Sequence, residues 1–161
     1  MSLNKKLLNK TASAGASFNV VTYTGDGAVS HAITGVGFKP DIVWVKSRSN
    51  VESPKITNSS VGGAYYVYTN QSQVEQNYAT NIISFDTDGF TLGSESNSNG
   101  SGYTFVAWCW KLNEGTTASN GEGGITATVQ ANTAAGISIS MYTGTGSANT
   151  IGHGSDSAPE L

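Results

Sequence analysis

Short runs of β-branched and aromatic residues, separated by clusters of glycine, asparagine and aspartate, recur along the whole of this 161-residue chain. No stretch of helix length repeats its apolar residues every 3.6 positions, so the runs are predicted to be strands. They lie at residues 18–24, 30–34, 42–47, 64–70, 81–86, 90–93, 103–111, 125–130 and 137–143. Short strands separated in this way predict an all-β sandwich or barrel.

The stretch YTFVAWCWK, residues 103–111, is the strongest predicted strand. Alternation divides its side chains between two apolar faces, Phe105, Ala107 and Cys109 on one and Val106, Trp108 and Trp110 on the other. The stretch DIVWVK, residues 41–46, is likewise apolar on both sides. Both strands are therefore predicted to be central in a sheet and covered on both faces.

The sequence DTDGFTLGS, residues 86–94, contains an Asp-Gly step between two apolar segments. Asp-Gly favours a tight turn because glycine adopts positive φ angles without a steric cost, so a β-hairpin is predicted here. The same aspartates resemble the start of a calcium-binding loop. Phe90, Thr91 and Asn97 stand where that loop requires other residues, so a plain turn is the favoured interpretation.

An internal repeat links the two ends of the chain. Residues 18–42 align without a gap on residues 137–161, an offset of 119 from 137 minus 18. The agreeing positions are Tyr23, Thr24, Gly25, Gly27, Gly35 and Pro40, which match Tyr142, Thr143, Gly144, Gly146, Gly154 and Pro159. The first copy continues into VWVK, whereas the second stops, so the chain is expected to end inside a second repeat. Residues after about 124 are expected to pack on the first copy, on another chain or on absent sequence.

The rest of the chain divides around these two copies. Residues 113–124, NEGTTASNGEGG, hold no large apolar side chain and are predicted to be a linker or long exposed loop. The predicted units are an anchoring peptide at 1–16, a β-sandwich repeat at 17–112, this linker, and a partial second repeat at 125–161. The anchoring prediction rests on Leu3, Leu7 and Leu8, which lie among lysines and have too little core of their own; a frayed terminus is the alternative.

Charge and hydropathy exclude several function classes. The net charge is −3, and the eight lysines and arginines are spread along the chain with only Lys5 and Lys6 adjacent, so no basic patch is predicted to follow a nucleic-acid backbone. No apolar run approaches the ~20 residues that cross a bilayer, so membrane insertion is not expected. Neither nucleic acid nor membrane is therefore predicted as a partner.

Catalytic constellations are not visible in the sequence. The two histidines, His31 and His153, have no second histidine or cysteine at metal-ligand spacing. No Gly-x-Ser-x-Gly motif occurs, and no pair of the eleven acidic residues can be placed together for glycosidase chemistry. The sequence predicts a protein that is not an enzyme, with no metal and no cofactor.

One stretch has the composition of a recognition surface. In AYYVYTNQSQ, residues 64–73, alternation puts Tyr66, Tyr68 and Asn70 on one face. Sugars stack on aromatic rings, and tyrosine beside short polar residues is typical of adaptable binding surfaces, so these three are glycan-binding candidates. The alternative is that the tyrosines pack on the sheet and leave only their hydroxyls in water.

Six motifs in combination suggest a family. YTGDG, ITGVGFKPDIVWVK, SFDTDGFTLGS and YTFVAWCWK, followed by a copy with MYTGTG and IGHG, resemble the β-sandwich repeat domain of tail-fibre and other virion structural proteins of tailed phages, notably phages of marine cyanobacteria. The resemblance covers nearly the whole chain. It implies a concanavalin-like jelly-roll sandwich, presented in tandem.

The resemblance also implies a role. Its aromatic positions, expected to form the structural core, are Trp44, Phe90, Trp108 and Trp110, and its turn positions are Gly35, Gly37 and Pro40. The implied protein is a non-enzymatic virion component, such as a tail fibre, that anchors to other virion proteins by its N-terminus, presents its repeats to the host and assembles as a homotrimer. The alternatives are a lectin-like module for host surface polysaccharide and a depolymerase of the kind found among tailspikes.

Overall fold

The computed structural model describes residues 17–155, and nearly all of the regular structure in this range is β-strand. The strands are β1 (Phe18–Thr24), β2 (His31–Thr34), β3 (Ile42–Ser47), β4 (Lys55–Asn58), β5 (Tyr65–Tyr68), β6 (Gln76–Asn77), β7 (Ile82–Asp86), β8 (Gly89–Leu92), β9 (Thr104–Trp110), β10 (Ala118–Asn120), β11 (Ala127–Asn132) and β12 (Ile137–Met141). A single helical turn, α1 (Ser96–Asn99), lies between β8 and β9. The all-β prediction is confirmed.

Three antiparallel sheets organise these strands. A six-stranded sheet has the order β1-β9-β3-β4-β5-β6, and a three-stranded sheet, β2-β8-β7, packs on one of its faces to make the sandwich. The third sheet, β10-β11-β12, contains the strands of the second copy. Within residues 17–155, no helix has the length and hydropathy needed to cross a membrane.

The core lies between the two sheets of the sandwich. Strand β9 is central in the large sheet, as predicted, because β1 and β3 pair with its two edges. Its side chains Phe105, Ala107 and Cys109 are fully buried. They pack with residues from both sheets, among them Ile33, Val36, Val43, Val45, Phe90 and Leu92.

The tryptophans lie on the opposite, outer face of the large sheet. Phe90 belongs to the sandwich core, whereas Trp44, Trp108 and Trp110 are only half-buried. Trp44 stands opposite Trp108 with ring centroids 5.3 Å apart, and Trp110 packs on Phe18 at 5.1 Å. The prediction that β3 and β9 are covered on both faces is wrong for most of this face, because the small sheet of the sandwich covers only the other one.

The predicted hairpin is present. Strands β7 and β8 pair with Asp86 opposite Gly89, so Thr87 and Asp88 form a two-residue loop. The Asp88 carboxylate accepts hydrogen bonds from the backbone N–H groups of Gly35 (3.1 Å) and Gly37 (2.5 Å). Both glycines have a φ of 85°, in the left-handed region that glycine adopts without a steric cost. Asp88 therefore ties the hairpin to the loop after β2.

Some elements escaped the sequence patterns. Strand β4 begins with a lysine, β6 has two residues, and β10 lies inside the segment 113–124 that was predicted to be a linker or loop. Ala118 to Asn120 form strand β10 by pairing in antiparallel fashion with β11. The segment therefore joins the second copy to the sandwich as part of a sheet.

The structure supports the internal repeat. At the offset of 119, strand β1 corresponds to β12. Gly27 (φ 71°) corresponds to Gly146 (φ 74°), and Gly35 (φ 85°) corresponds to Gly154 (φ 68°), so equivalent glycines share the left-handed conformation. The second copy packs on the first, which was one of the three expected arrangements. The predicted anchoring peptide, residues 1–16, lies outside the described residues.

Candidate functional site

The glycan candidates Tyr66 and Tyr68 lie on the face of β5 that points toward the small sheet of the sandwich. Tyr66 is 3% exposed and Tyr68 is half-buried, whereas Asn70 is exposed beyond the end of the strand. The two tyrosine hydroxyls are 3.3 Å apart, and Tyr68 accepts a hydrogen bond from the Asn97 side chain at 3.1 Å. Both hydroxyls are thus engaged by protein groups.

Lys55 packs on the ring of Tyr66 and contributes to its burial. Its Nζ lies 4.5 Å from the centre of the Tyr66 ring, a cation–π contact that takes up a ring face. The edge of Tyr68 meets the same ring at 5.2 Å. Because a sugar needs an open ring face for stacking, these contacts favour the packing interpretation of Tyr66.

Lys55 is itself unusual, because it is only 1% exposed. Its Nζ has no hydrogen-bond partner among the described residues. Desolvation lowers the pKa of Lys55 from 10.5 to about 8, and the charges of Glu95 and Glu52 oppose this shift without cancelling it. Sequence analysis did not single out Lys55, since a lysine at the start of a strand ordinarily reaches solvent.

The Asp41 carboxylate accepts five hydrogen bonds, and the residue has no solvent exposure. Its Oδ2 accepts hydrogen bonds from the backbone N–H groups of Leu112 (2.6 Å) and Glu114 (3.0 Å). Its Oδ1 accepts from Gly115 N (2.8 Å), Ser59 Oγ (2.5 Å) and Gln130 Nε2 (2.7 Å). Five donors satisfy this buried carboxylate, which offsets the large cost of removing a charge from water.

Local structure places Asp41 at this position. It directly precedes β3, donates from its backbone N–H to Trp110 O at 2.7 Å, and accepts from Ser59 N at 2.8 Å. The chain after β9 then folds around the carboxylate, with Glu114 in the left-handed region at a φ of 54°. Asp41 thus joins the ends of β9 and β4 and the start of the segment that leads to the second copy.

Gln130, on β11, brings the second copy to this centre. Its side chain is completely buried, and its Oε1 accepts from Ser60 Oγ at 2.5 Å while its Nε2 donates to Asp41. Nearby, Asn132 donates to the Lys111 carbonyl at 3.1 Å. We call this set of residues, Asp41, Ser59, Ser60, Gln130 and Asn132, the repeat joint.

Apolar packing borders the repeat joint. Ile139 of β12 lies with Ile42, Ile56 and Val67 around a cavity of about 130 Å³. These three residues are on the outer face of the large sheet, so the second copy covers one end of that face. The joint therefore combines a buried hydrogen-bond network with an apolar contact.

Each of the two histidines has a polar partner in the structure. His31 Nδ1 lies 2.8 Å from Asn99 Oδ1 and 3.4 Å from the Asp26 carboxylate. His153 Nδ1 accepts a hydrogen bond from the backbone of Ser155. Across residues 17–155, no three side chains of histidine, cysteine, aspartate or glutamate come together as metal ligands would.

One signal in the sequence could have indicated the repeat joint. At the offset of 119, Asp41 corresponds to Glu160, so both copies carry an acid directly after the matching proline. Few other charged positions agree between the copies. Gln130 carries no comparable signal, because its partners lie about 70 and 89 residues away in the sequence.

Residues 17–155 form an antiparallel all-β sandwich with a third antiparallel sheet beside it, and this defines the fold class of the chain. Residues 13–161 match the family described as Domain of unknown function (DUF7483), and the chain belongs to this family. No curated protein and no solved structure matches it.

Proposed function

We propose that this protein is a non-enzymatic structural component of a phage particle, a tail fibre or a similar appendage that presents β-sandwich repeats toward the host. The observation that carries the proposal is the repeat joint. There the buried Asp41 carboxylate of one copy is hydrogen-bonded to the buried Gln130 side chain of the next.

A joint of this kind suits a protein whose task is to hold repeats in a fixed geometry. Domains connected by a plain flexible linker move relative to one another. In repeat proteins, by contrast, contacts between neighbouring units supply much of the stability and set the direction of the array. A buried charge with five donors is directional, because a rotated neighbour leaves donors or the carboxylate unpaired.

The location and partners in the proposal rest on the motif resemblance and on one surface. Phe18 and Val20, on the outer face of β1, are 36% and 40% exposed, beside the half-buried Trp108 and Trp110. Contiguous exposed apolar surface commonly marks protein–protein contacts. It supports assembly with other virion proteins through the N-terminal part of the chain, and assembly of a homotrimer.

A lectin-like function through Tyr66 and Tyr68 is the weaker candidate. Lys55 and Tyr68 take up the ring of Tyr66, so the exposed Asn70 and the half-buried Tyr68 are the more accessible residues of that face. These two groups offer no open aromatic ring on which a sugar could stack, so they give only weak support for glycan recognition.

The proposal is tested on particles of the phage that encodes the sequence. Mass spectrometry of purified particles should detect the chain, and antibodies against residues 17–155 should label an appendage in electron micrographs. A chain that is abundant in infected cells but missing from particles contradicts the proposal. Incubation of the purified protein with host polysaccharide should release no new reducing ends, and their release would show an enzyme instead.

A further inference from the structure

The sequence contains two Asn-Gly steps, Asn99-Gly100 at the end of α1 and Asn120-Gly121 at the end of β10. A serine precedes the asparagine in both. The side-chain carbon of an asparagine is open to attack by the next backbone nitrogen when glycine follows, because glycine has no Cβ to obstruct the approach. The two steps are alike in sequence, so a difference in their reactivity has to come from the fold.

The surroundings of Asn99 prevent this attack. The residue has no solvent exposure, and its Nδ2 donates to the Asp26 carboxylate at 3.1 Å and to two backbone carbonyls. The Gly100 N–H, which is the attacking group, donates to Ser96 O at 2.9 Å. Both reacting groups are thus engaged elsewhere and kept from water.

The surroundings of Asn120 leave both groups accessible. Asn120 is half-buried and Gly121 is exposed, so water reaches the step. The Gly121 N–H donates to no other described residue. The space beside Gly121 is also open, because a Cβ added there meets no atom within 4 Å.

Glu122 directs the Asn120 side chain toward the Gly121 nitrogen. Its backbone N–H donates to Asn120 Oδ1 at 2.9 Å, which forms an Asx turn, and its carboxylate accepts from Asn120 Nδ2 at 3.4 Å. Both bonds reach forward past Gly121, so the side-chain amide folds along the chain over the intervening peptide. The N–H bond to Oδ1 also stabilises the negative charge that this oxygen gains when a nucleophile attacks Cγ.

We propose that Asn120 is a self-modification site, which deamidates through a cyclic imide while Asn99 does not. The lone pair of the Gly121 nitrogen forms a bond to Asn120 Cγ, and the Cγ–Nδ2 bond breaks. Nδ2 leaves as ammonia and takes up the proton lost from the Gly121 nitrogen. Water then opens the imide at either carbonyl, giving aspartate from one opening and isoaspartate, in which the backbone runs through the former side chain, from the other.

The modification alters a contact of the second copy, and the inference does not depend on the proposed function. Asn120 pairs with Ala127 of β11, and its side chain lies against the backbone of Gly152. Isoaspartate adds a carbon to the backbone, which removes this pair from register. Both products also place a negative charge beside Glu122. The segment 113–124 therefore loosens as the protein ages.

Peptide mass spectrometry of the full chain after incubation at pH 8 and 37 °C tests the inference. Digestion at glutamates separates the two sites, because Glu114 lies between them. The peptide with Asn120 should gain about one mass unit and divide into aspartate and isoaspartate forms, about tenfold or more faster than the peptide with Asn99 reacts. Equal rates, or an unmodified Asn120, contradict the inference.

Incubation in urea separates the effect of the fold from that of the sequence. Both sites should react at similar rates in the unfolded chain, because each is a Ser-Asn-Gly step. A preference for Asn120 that persists in urea would show that the fold does not select the site, which overturns the assignment.

The variant Gly121→Ala tests the attacking group. Gly121 has neither a positive φ nor a close neighbour, so alanine fits there without strain. Its Cβ obstructs the attack, and we expect deamidation of Asn120 to slow by about tenfold or more. The control Gly144→Ala, at another open glycine that follows a threonine, should react as the parent protein does. An undiminished rate in Gly121→Ala contradicts the proposed imide.

Protease sensitivity tests the consequence for the fold. Aged parent protein should be cleaved within residues 113–124 about threefold faster than fresh protein, because the end of β10 opens. Gly121→Ala aged for the same time should be cleaved at the rate of its fresh sample. Unchanged cleavage of fully deamidated parent protein would show that the modification leaves β10 paired.

Discussion

Gln130 donates a hydrogen bond to the Asp41 carboxylate at 2.7 Å across 89 residues of sequence, and both side chains have no exposure to solvent. The bond connects the start of β3 in the first copy to β11 in the second. A buried charge of this kind stabilises a structure only while all its partners are in place, since each lost partner leaves the carboxylate or a donor unsatisfied. The repeat joint is therefore the most sensitive point for the arrangement of the two copies.

Replacing Asp41 with asparagine should destabilise the protein strongly. The amide group has the same shape but only one acceptor oxygen, so its NH₂ faces backbone donors that the second carboxylate oxygen satisfied. We expect the free energy of unfolding to fall by about 3 kcal/mol, as for other broken buried charge networks. Urea denaturation measures this loss. The control Glu122→Gln, at an exposed carboxylate, should lose less than about 0.5 kcal/mol.

Replacing Gln130 with alanine should release the second copy while the sandwich remains folded. The substitution removes the donor to Asp41 and the acceptor for Ser60, but leaves the backbone donors to Asp41 in place. We expect cleavage by a nonspecific protease within residues 113–124 to become about tenfold faster, and residues 17–112 to persist as a stable fragment.

The control for this experiment is Thr128→Ala, an exposed position on the same strand. Its cleavage should match that of the parent protein. If Gln130→Ala is cleaved no faster than this control, then the apolar contact of Ile139 holds the second copy without the hydrogen bonds.

The sequence predicted the bounds of two strands well. The predicted bounds of β1 and β3 agree with the structure to the residue, because each is a run of apolar and β-branched residues bounded by glycine, proline or polar residues. The same patterns could not identify the face that receives the second sheet. Trp44 and Val45 are both apolar, and only packing shows that Val45 belongs to the core while Trp44 lies on the outer face.

Apart from the correspondence of Asp41 and Glu160, the repeat joint could not be predicted from the sequence, for a different reason. The groups that donate hydrogen bonds to the Asp41 carboxylate come from residues 59, 112, 114, 115 and 130, which no local pattern brings together. Local sequence patterns could not predict the burial of Lys55 either. Its burial follows from the position of β4 between β3 and β5, next to the Tyr66 ring.

Replacing Tyr66 with alanine distinguishes packing from glycan recognition. The residue is 3% exposed, so truncation leaves a cavity and removes the aromatic cover of Lys55. We expect a loss of about 3–4 kcal/mol in the free energy of unfolding, the range for large aromatic truncations. Differential scanning calorimetry measures the effect. Asn70→Ala, at an exposed position beyond β5, is the control and should leave the thermal midpoint within about 1 °C. An unchanged midpoint for Tyr66→Ala, with lost binding on a glycan array, would support the lectin alternative.

Replacing Lys55 with methionine should change how stability depends on pH. Desolvation lowers the pKa of Lys55 to about 8 in the folded protein, while the unfolded chain keeps a value near 10.5. Between these values the unfolded state binds more protons, so this lysine makes stability rise with pH from about 8 to 10.5. Below pH 8 the folded protein carries the full cost of a buried charge, about 3 kcal/mol for a shift of this size.

Methionine fills a similar volume without the charge, so we expect Lys55→Met to exceed the parent protein in stability by about 1–3 kcal/mol at pH 7. That advantage should shrink by about 1 kcal/mol between pH 8 and pH 9, where the parent loses its proton. Urea denaturation of both proteins at pH 7, 8 and 9 measures the difference. Burial raises the pKa of the Cys109 thiol to about 12, which affects the pH dependence of stability in the opposite direction. Because both proteins contain Cys109, this effect cancels in the difference between their stabilities. Lys46→Met, at a half-buried lysine on the outer face, is the control variant. A constant difference between Lys55→Met and the parent would show that Lys55 keeps its ordinary protonation, and that its amine reaches water despite the Tyr66 contact.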